Sequence, residues 1–428
     1  MAWLQLDPAL IRIGLFIKID HPWMEHPFVR GTFMISSPTE IEIIRKQRLT
    51  KLFYDPVLSR ADVIANLADL SFMVIPVELD AESVQDFESD EQSMRKEKAV
   101  HIKRVMDHRK AAEDAALDYT HVVNDCSVMI AMANAGQPES LALANTMMSS
   151  MIHLLSEESV ALSLVCTVNP ADVGQELAMQ AVNVSALTFM TAKALKLSDQ
   201  ETQHVGMGAL FHNIGQNRVP LSIRAKVDFL LPAEHKLVQM YPQFGKEILE
   251  NIPGMPSEVI EIVYQHRECL DGTGFPKRMF NGEIKKLARL VGTVTEYNNL
   301  TRARNAANSM GPSQALSHIY SNMQHKFGTD VIEPFIAAVT VFPPGSFVEL
   351  SDGSIGLVMQ SNMKERMRPV IMQYERNASH SQAAMIDLAR ERSLTVQKSL
   401  DPKLVPGRVR EALNPSEFNG YVVTSASA

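Results

Sequence analysis

The sequence predicts a mainly α protein, a helical bundle with a small N-terminal α/β module and a β-rich C-terminal extension. Three observations predict it. Between residues 198 and 301, apolar residues recur every three or four positions in three separate stretches, the period of a helix with one buried face. From Glu82 to Arg109 the chain is densely charged and has no glycine or proline, as a long solvated helix requires. Beyond Pro343 the period drops to two, the period of a strand.

Residues 1–80 form the α/β module. Leu10, Ile11, Ile13, Leu15, Phe16 and Ile17 make a strand-like run around Gly14, and HPWMEHPF follows as a proline-punctuated loop. Its histidines, His21 and His26, raise a metal reading, but no cysteine or third convergent ligand accompanies them and the plain loop reading is preferred. After Ser37 and Pro38, Thr39 to Lys51 reads as a short amphipathic helix.

Residues 81–150 read as a helical connector. Sustained apolar heptads are missing, so an ordinary connecting helix is favoured over a coiled coil. Asn134 to Pro138 breaks it, and Met147, Met148, Met151, Leu154 and Leu155 restart it with adaptable core filling rather than a cofactor box.

The bundle is assigned to residues 151–343. Ser198 and Glu201 form a capping box, after which Thr202, Val205, Ala209 and His212 share a face. Gly215 is expected to end that helix in a left-handed cap, and Gly206 and Gly208 to let a neighbouring helix approach closely. A second helix, N-capped by Ser257, carries Val259, Ile262, Val263, His266 and Leu270 inward. It is expected to stop at the run from Asp271 to Gly274, with Pro276 forbidding resumption. A third stripe runs through Ile284, Leu287, Val291, Val294 and Asn298, with Thr295 beside it. His266 before a glycine-rich loop is, taken alone, compatible with a core histidine and an ordinary turn; three helices presenting polar residues to one core point further. In the extension, residues 344–428, Phe347 to Leu350 and Ile355 to Met359 flank an Asp352-Gly353 hairpin turn, Pro369 to Tyr374 offers a further strand, and Thr424 to Ala428 are expected to fray.

At 428 residues with an ordinary globular composition, the chain has room for two or three domains. A formal charge of −8 argues against general nucleic-acid or anionic-membrane binding. Cys126, Cys166 and Cys269 include no CxxC pair, which argues for a reducing compartment and against structural zinc. No apolar run reaches the roughly 18 residues of a spanning helix, and the N-terminus lacks a signal pattern, so a cytoplasmic protein is expected.

The motifs HNIGQ (His212 to Gln216) and HRECLDGTGFP (His266 to Pro276), in this order and spacing, resemble those of the bacterial HD-GYP domains, HDIGK and HHExxDGxGYP. Residues 1–80 resemble a domain of unknown role that precedes many HD-GYP domains, and the C-terminal tail resembles a β-rich extension of the same group. Active members of the family are metal-dependent phosphodiesterases that hydrolyse cyclic di-GMP. The resemblance implies metal positions at Gln180, His212, Asn213, Tyr241, His266, Arg267 and Thr295, of which only the two histidines keep a family ligand type; the family lysine is replaced by Gln216. Cations such as Mn²⁺ and Fe²⁺ need convergent carboxylates and imidazoles, and a guanidinium stays protonated where a dication belongs. The resemblance therefore implies a non-catalytic signalling protein with no metal cofactor. Its loop from Asp271 through Gly272, Gly274 and Phe275 to Pro276 is retained for contact with diguanylate cyclase (GGDEF) domains or other signalling proteins. Cyclic di-GMP remains a candidate ligand, with Arg267 as phosphate contact or as a plug paired to Glu268 or Glu296; residues 212–304 carry 13 basic against 10 acidic side chains, a local charge of 13 − 10 = +3. The alternative is an enzyme in which His212 and His266 join acids such as Glu176, Glu268 or Glu296 in an unorthodox iron or manganese site. In the metal-free case Gln180, Asn213, Tyr241 and Thr295 are expected to hydrogen-bond to one another or to bridging water, since an unpaired buried polar group costs about 1–3 kcal/mol.

Overall fold

The computed structural model describes residues 3–21, 26–28, 31–64, 81–154, 175–226, 229–303, 308–362, 364–374 and 385–413. Leu155, Cys166, Arg304, part of the HPWMEHPF loop and the tail from Thr424 lie outside the described residues.

The N-terminal module is a four-stranded antiparallel sheet, β1 (Leu4–Leu6), β2 (Phe16–Ile19), β3 (Thr32–Met34) and β4 (Leu52–Tyr54), in the order β1-β4-β2-β3. The strand-like run is shorter than its hydrophobicity implies. Pro8–Leu10 turns as a 3-10 helix and Gly14 takes a φ of +95°, so pairing begins only at Phe16. The following helix, Pro38–Lys46, starts at a Ser37–Glu40 capping box and buries Ile43 and Ile44. It ends five residues before the expected Lys51, because Arg48 adopts a positive φ and the chain must enter β4 to pair with β1 and β2.

One helix of 54 residues, Ala81–Asn134, then crosses from this module to the bundle. Near its start Met94 packs on the module core, and the Lys98 ammonium donates to the His26 carbonyl. From Tyr119 to Ala133 its buried face belongs to the bundle core, together with Met147, Met148 and Met151 of the next helix, Glu139–Leu154. The break falls where Gly136 takes a φ of +69°.

The remaining core is supplied by helices Glu176–Ala194, Asp199–Phe211, Tyr241–Glu250, Ser257–Gln265, Lys286–Thr301, Pro312–Asn322 and Thr329–Val339. Gly206 and Gly208 serve as expected: a Cβ on the first would run into Phe189 and Met148, and on the second into Ile262. The C-terminal sheet, in the order β8-β7-β6-β5-β9, comprises β5 (Phe347–Leu350), β6 (Ile355–Gln360), β7 (Val370–Gln373), β8 (Met385–Asp387) and β9 (Val396–Leu400). Both faces are covered, one by a cluster with Phe342 and Leu394, the other by Val409 and Leu413 of helix Gly407–Leu413. Among the described residues no helix is long and apolar enough to cross a membrane.

Candidate functional site

Two helix ends meet in the bundle. The helix from Asp199 stops at Phe211, making His212 its C-cap, and the helix from Ser257 stops at Gln265, making His266 its C-cap. Both ends come earlier than the sequence implies. Gly215 is not a left-handed cap; it lies in a 3-10 turn, Ile214–Arg218, where a Cβ would overlap the Tyr241 carbonyl and the Gly245 amide. Its smallness seats the Tyr241–Glu250 helix against the histidines. Ser257 is not an N-cap either, since Pro256 takes that place with an extended backbone.

The site is buried. His212 and Asn213 are fully buried, His266 and Thr295 are 1% exposed and Tyr241 is 6% exposed. Each histidine sets its Nδ1 against the carbonyl three residues earlier, His212 to Ala209 at 2.6 Å and His266 to Val263 at 2.7 Å. A carbonyl only accepts, so each Nδ1 carries the proton and each Nε2 presents a lone pair. The Tyr241 hydroxyl donates to Nε2 of His266 at 2.8 Å. The histidine rings stand edge to face with centroids 5.3 Å apart. Burial, opposed by the Ala209 hydrogen bond and reinforced by Arg267, holds the His212 pKa down at about 4. Burial, His212 and Arg267 push that of His266 well below the ordinary imidazole range. Burial pushes Tyr241 up to about 12, so its phenol keeps its proton.

The other implied positions divide. Asn213 Nδ2 donates to the Leu177 carbonyl at 2.8 Å and to Gln180 Oε1 at 3.2 Å, while Gln180 Nε2 donates to Asn299 Oδ1 at 3.1 Å. Thr295 departs from the expected network, bonding back to the Val291 carbonyl of its own helix at 2.7 Å. Arg267 pairs with Glu296 at 3.4 Å and lies over the Phe275 ring at 5.3 Å, its side chain 21% exposed. Of the three acids offered for an unorthodox metal site, only Glu296 is near, and it faces Arg267. Glu176 is exposed in the first turn of its helix, and Glu268 turns away into the loop.

That loop is tightly built. The buried Glu268 carboxylate accepts the amides of Lys277 at 2.7 Å and Met279 at 2.9 Å. The Phe275 amide donates to the Arg267 carbonyl, and Asp271 Oδ1 accepts from the amide and hydroxyl of Thr273. Gly272 takes a φ of +74°, and a Cβ on Gly274 would overlap the backbone of Glu268 and Cys269. The Phe275-Pro276 peptide is cis. The sequence reading missed this role of Glu268 and the Gln180 partner Asn299. An acid directly before a glycine loop is a signal for the first, whereas nothing in the spacing announces the second.

The donor set does not fit a di- or trinuclear metal centre. No group of three or more His, Cys, Asp or Glu among the described residues is placed to hold a metal ion. The lone pair of His266 is engaged by Tyr241, and the Arg267 guanidinium lies within Coulombic reach of both imidazoles. The site does contain two buried acceptors without a partner among the described residues, His212 Nε2 and Asn213 Oδ1.

Residues 149–331 match the HD domain family, residues 4–144 a domain of unknown function (DUF3391), and residues 347–407 a KOW domain associated with HD domains. The chain thus carries an HD domain in its helical bundle. It is 26% identical over 362 residues to the cyclic di-GMP phosphodiesterase PA4108 of Pseudomonas aeruginosa, covering 84% of this chain and 82% of that one. It is 24% identical over 193 residues to the cyclic di-GMP phosphodiesterase PdeB of Borreliella burgdorferi, 45% of this chain and 51% of that one. Among solved structures it is similar to Bd1817, a HDG"Y"P protein from Bdellovibrio bacteriovorus, with a TM-score of 0.43, 17% identity and coverage of 78% and 98%.

Proposed function

We propose that this chain is a non-catalytic member of the HD-GYP proteins, acting in cyclic di-GMP signalling as a binding or scaffolding module. Arg267 carries the reading. Its guanidinium is permanently charged, sits within Coulombic reach of both histidines and is paired to Glu296, so a dication and the hydroxide it would generate are opposed by like charge. Beside it the loop from Asp271 to Pro276 keeps a rigid scaffold anchored by Glu268. A loop of defined shape with no hydrolytic machinery beneath it suits docking to a diguanylate cyclase domain or another signalling protein. Arg267 has its needs met by Glu296 and Phe275, so as a phosphate anchor it must exchange Glu296 for the nucleotide.

The test is cyclic di-GMP turnover by the purified protein with added Mn²⁺ or Fe²⁺, alongside calorimetric titration of the nucleotide. No turnover is expected. Binding that Arg267→Ala weakens supports a receptor, and absence of binding at high micromolar nucleotide leaves docking through the loop. Metal-dependent turnover that His212→Ala and His266→Ala abolish overturns the proposal and restores the phosphodiesterase alternative.

A further inference from the structure

We infer that Tyr241 is the residue that closes this site against metal ions: its hydroxyl takes the place of a cation on His266. The inference rests on the non-catalytic reading above and assigns the exclusion to one hydrogen bond. An imidazole that coordinates a metal through Nε2 needs Nδ1 fixed as a donor to a carbonyl or carboxylate, which sets the tautomer and aims the lone pair. Both histidines keep that arrangement, to Val263 and to Ala209. They differ at the other nitrogen. His212 Nε2 is buried with no partner among the described protein atoms, whereas His266 Nε2 receives the Tyr241 O–H at 2.8 Å.

The tyrosine is held there by more than its own ring. Gly215 lets the Tyr241 carbonyl approach the 3-10 turn after His212, and the Tyr241 ring packs edge-on to Phe275 with centroids 6.1 Å apart. Arg267 and Phe275 stack on the side of the loop. The phenol is 6% exposed and hydrogen-bonded to His266, so a cation reaching that nitrogen must break a buried hydrogen bond, and the protonated phenol offers no anionic ligand in return. Imidazoles alone favour borderline ions such as Zn²⁺, Co²⁺ and Ni²⁺, and two of them next to a guanidinium hold such ions weakly. Freeing His266 Nε2 gives a second bare nitrogen within a ring's distance of His212; replacing Tyr241 with histidine adds a third imidazole.

The experiment compares wild type, Tyr241→Phe and Tyr241→His by thermal melting with EDTA and with Zn²⁺, and by the visible absorption of added Co²⁺. Wild type is expected to melt at the same temperature in EDTA and in Zn²⁺ and to give no Co²⁺ band. Tyr241→Phe is expected to melt several degrees lower in EDTA and to recover part of that loss in Zn²⁺. Tyr241→His is expected to bind Co²⁺ with a ligand-field spectrum and to be stabilised by Zn²⁺, the shift growing with metal concentration as linkage requires. Should Tyr241→Phe not fold, nitrogen-15 spectra of the wild type still report whether His266 is the Nδ1–H tautomer with a hydrogen-bonded Nε2. A wild type that carries stoichiometric metal lost in His266→Ala overturns both this inference and the non-catalytic reading. A metal-free wild type whose two Tyr241 variants stay indifferent to Zn²⁺ and Co²⁺ overturns this inference alone, as does the opposite tautomer.

Discussion

His212 is a neutral imidazole in a buried core, and that makes the bundle acid-sensitive. Its folded pKa is about 4, depressed first by burial and then by Arg267 against the Ala209 hydrogen bond, from an ordinary value of 6.5. Between those values the unfolded chain binds more protons than the folded one, so stability rises with pH across the window. The contribution is therefore complete above about pH 6.5 and lost as pH falls towards about 4, on the order of 3 kcal/mol for a shift of this size. His266 works in the same direction. In the N-terminal module His26, 3% exposed and held at about 4 by burial and then by Lys98 and His21, adds a separate acid-labile element. Denaturant midpoints measured between about pH 7 and pH 5 should fall steadily. His212→Gln, whatever its overall stability, should flatten the part of the slope that belongs to the bundle, and an unchanged slope would locate the acid sensitivity elsewhere. At this scale the sequence was informative about which residues face the core, because helical period places His212 and His266 inward, with Thr295 beside the third inward stripe. It was silent on their partners. Tyr241 and His266 are 25 positions apart, and the 2.8 Å bond between them depends on how Gly215 seats one helix against a turn. Thr295, with a carbonyl of its own helix in reach, needed no partner across the cavity.

Helices were readable where local chemistry decides them. The Ser198–Glu201 capping box involves residues three apart and forms as the sequence implies, and a second of the same spacing opens the Pro38–Lys46 helix at Ser37–Glu40. Ends set by tertiary packing were not readable: the Ser257 helix stops at Gln265 because the chain turns to let Glu268 collect two loop amides, a demand that comes from residues 277 and 279. The long helix, about 80 Å at 1.5 Å per residue, was seen only as a charged connector, because its densely charged stretch from Glu82 to Arg109 dominates the composition, although Tyr119, Val122, Cys126, Met129 and Ala133 recur at helical spacing and are buried. Tyr119 is its strongest polar grip on the bundle. The phenol donates at 2.7 Å to Asn183 Oδ1, which is 1% exposed and one turn beyond Gln180. Tyr119→Phe keeps the ring packing and leaves that acceptor without the phenol, at a cost of about 1–3 kcal/mol. The bundle transition should drop accordingly in denaturant unfolding. A change within error would mean that water replaces the hydroxyl and that the grip is apolar.

The described residues hold three hydrophobic regions rather than one. The bundle core runs from Tyr119 to Val339, the N-terminal module closes around Leu15, Ile17, Ile43 and Ile44, and the C-terminal sheet is covered on both faces. The long helix is shared, touching the N-terminal core at Met94 and entering the bundle core at Tyr119, with a polar stretch between. Chains with separate cores depart from two-state unfolding, since each core can lose its packing without exposing the others. Calorimetry of the full chain should therefore show more than one transition, and substitutions should sort by core. Ile44→Ala, fully buried in the module, removes methylenes worth about 2–5 kcal/mol and should lower one transition while leaving the others in place. Phe335→Ala, fully buried in the bundle, should cost about 3–5 kcal/mol and lower a different one. The shared helix sets the limit of that independence. If its polar stretch transmits unfolding, both variants will shift a single transition together, and the 54 residues from Ala81 to Asn134 then act as a rigid strut between the N-terminal module and the helix that carries Gln180.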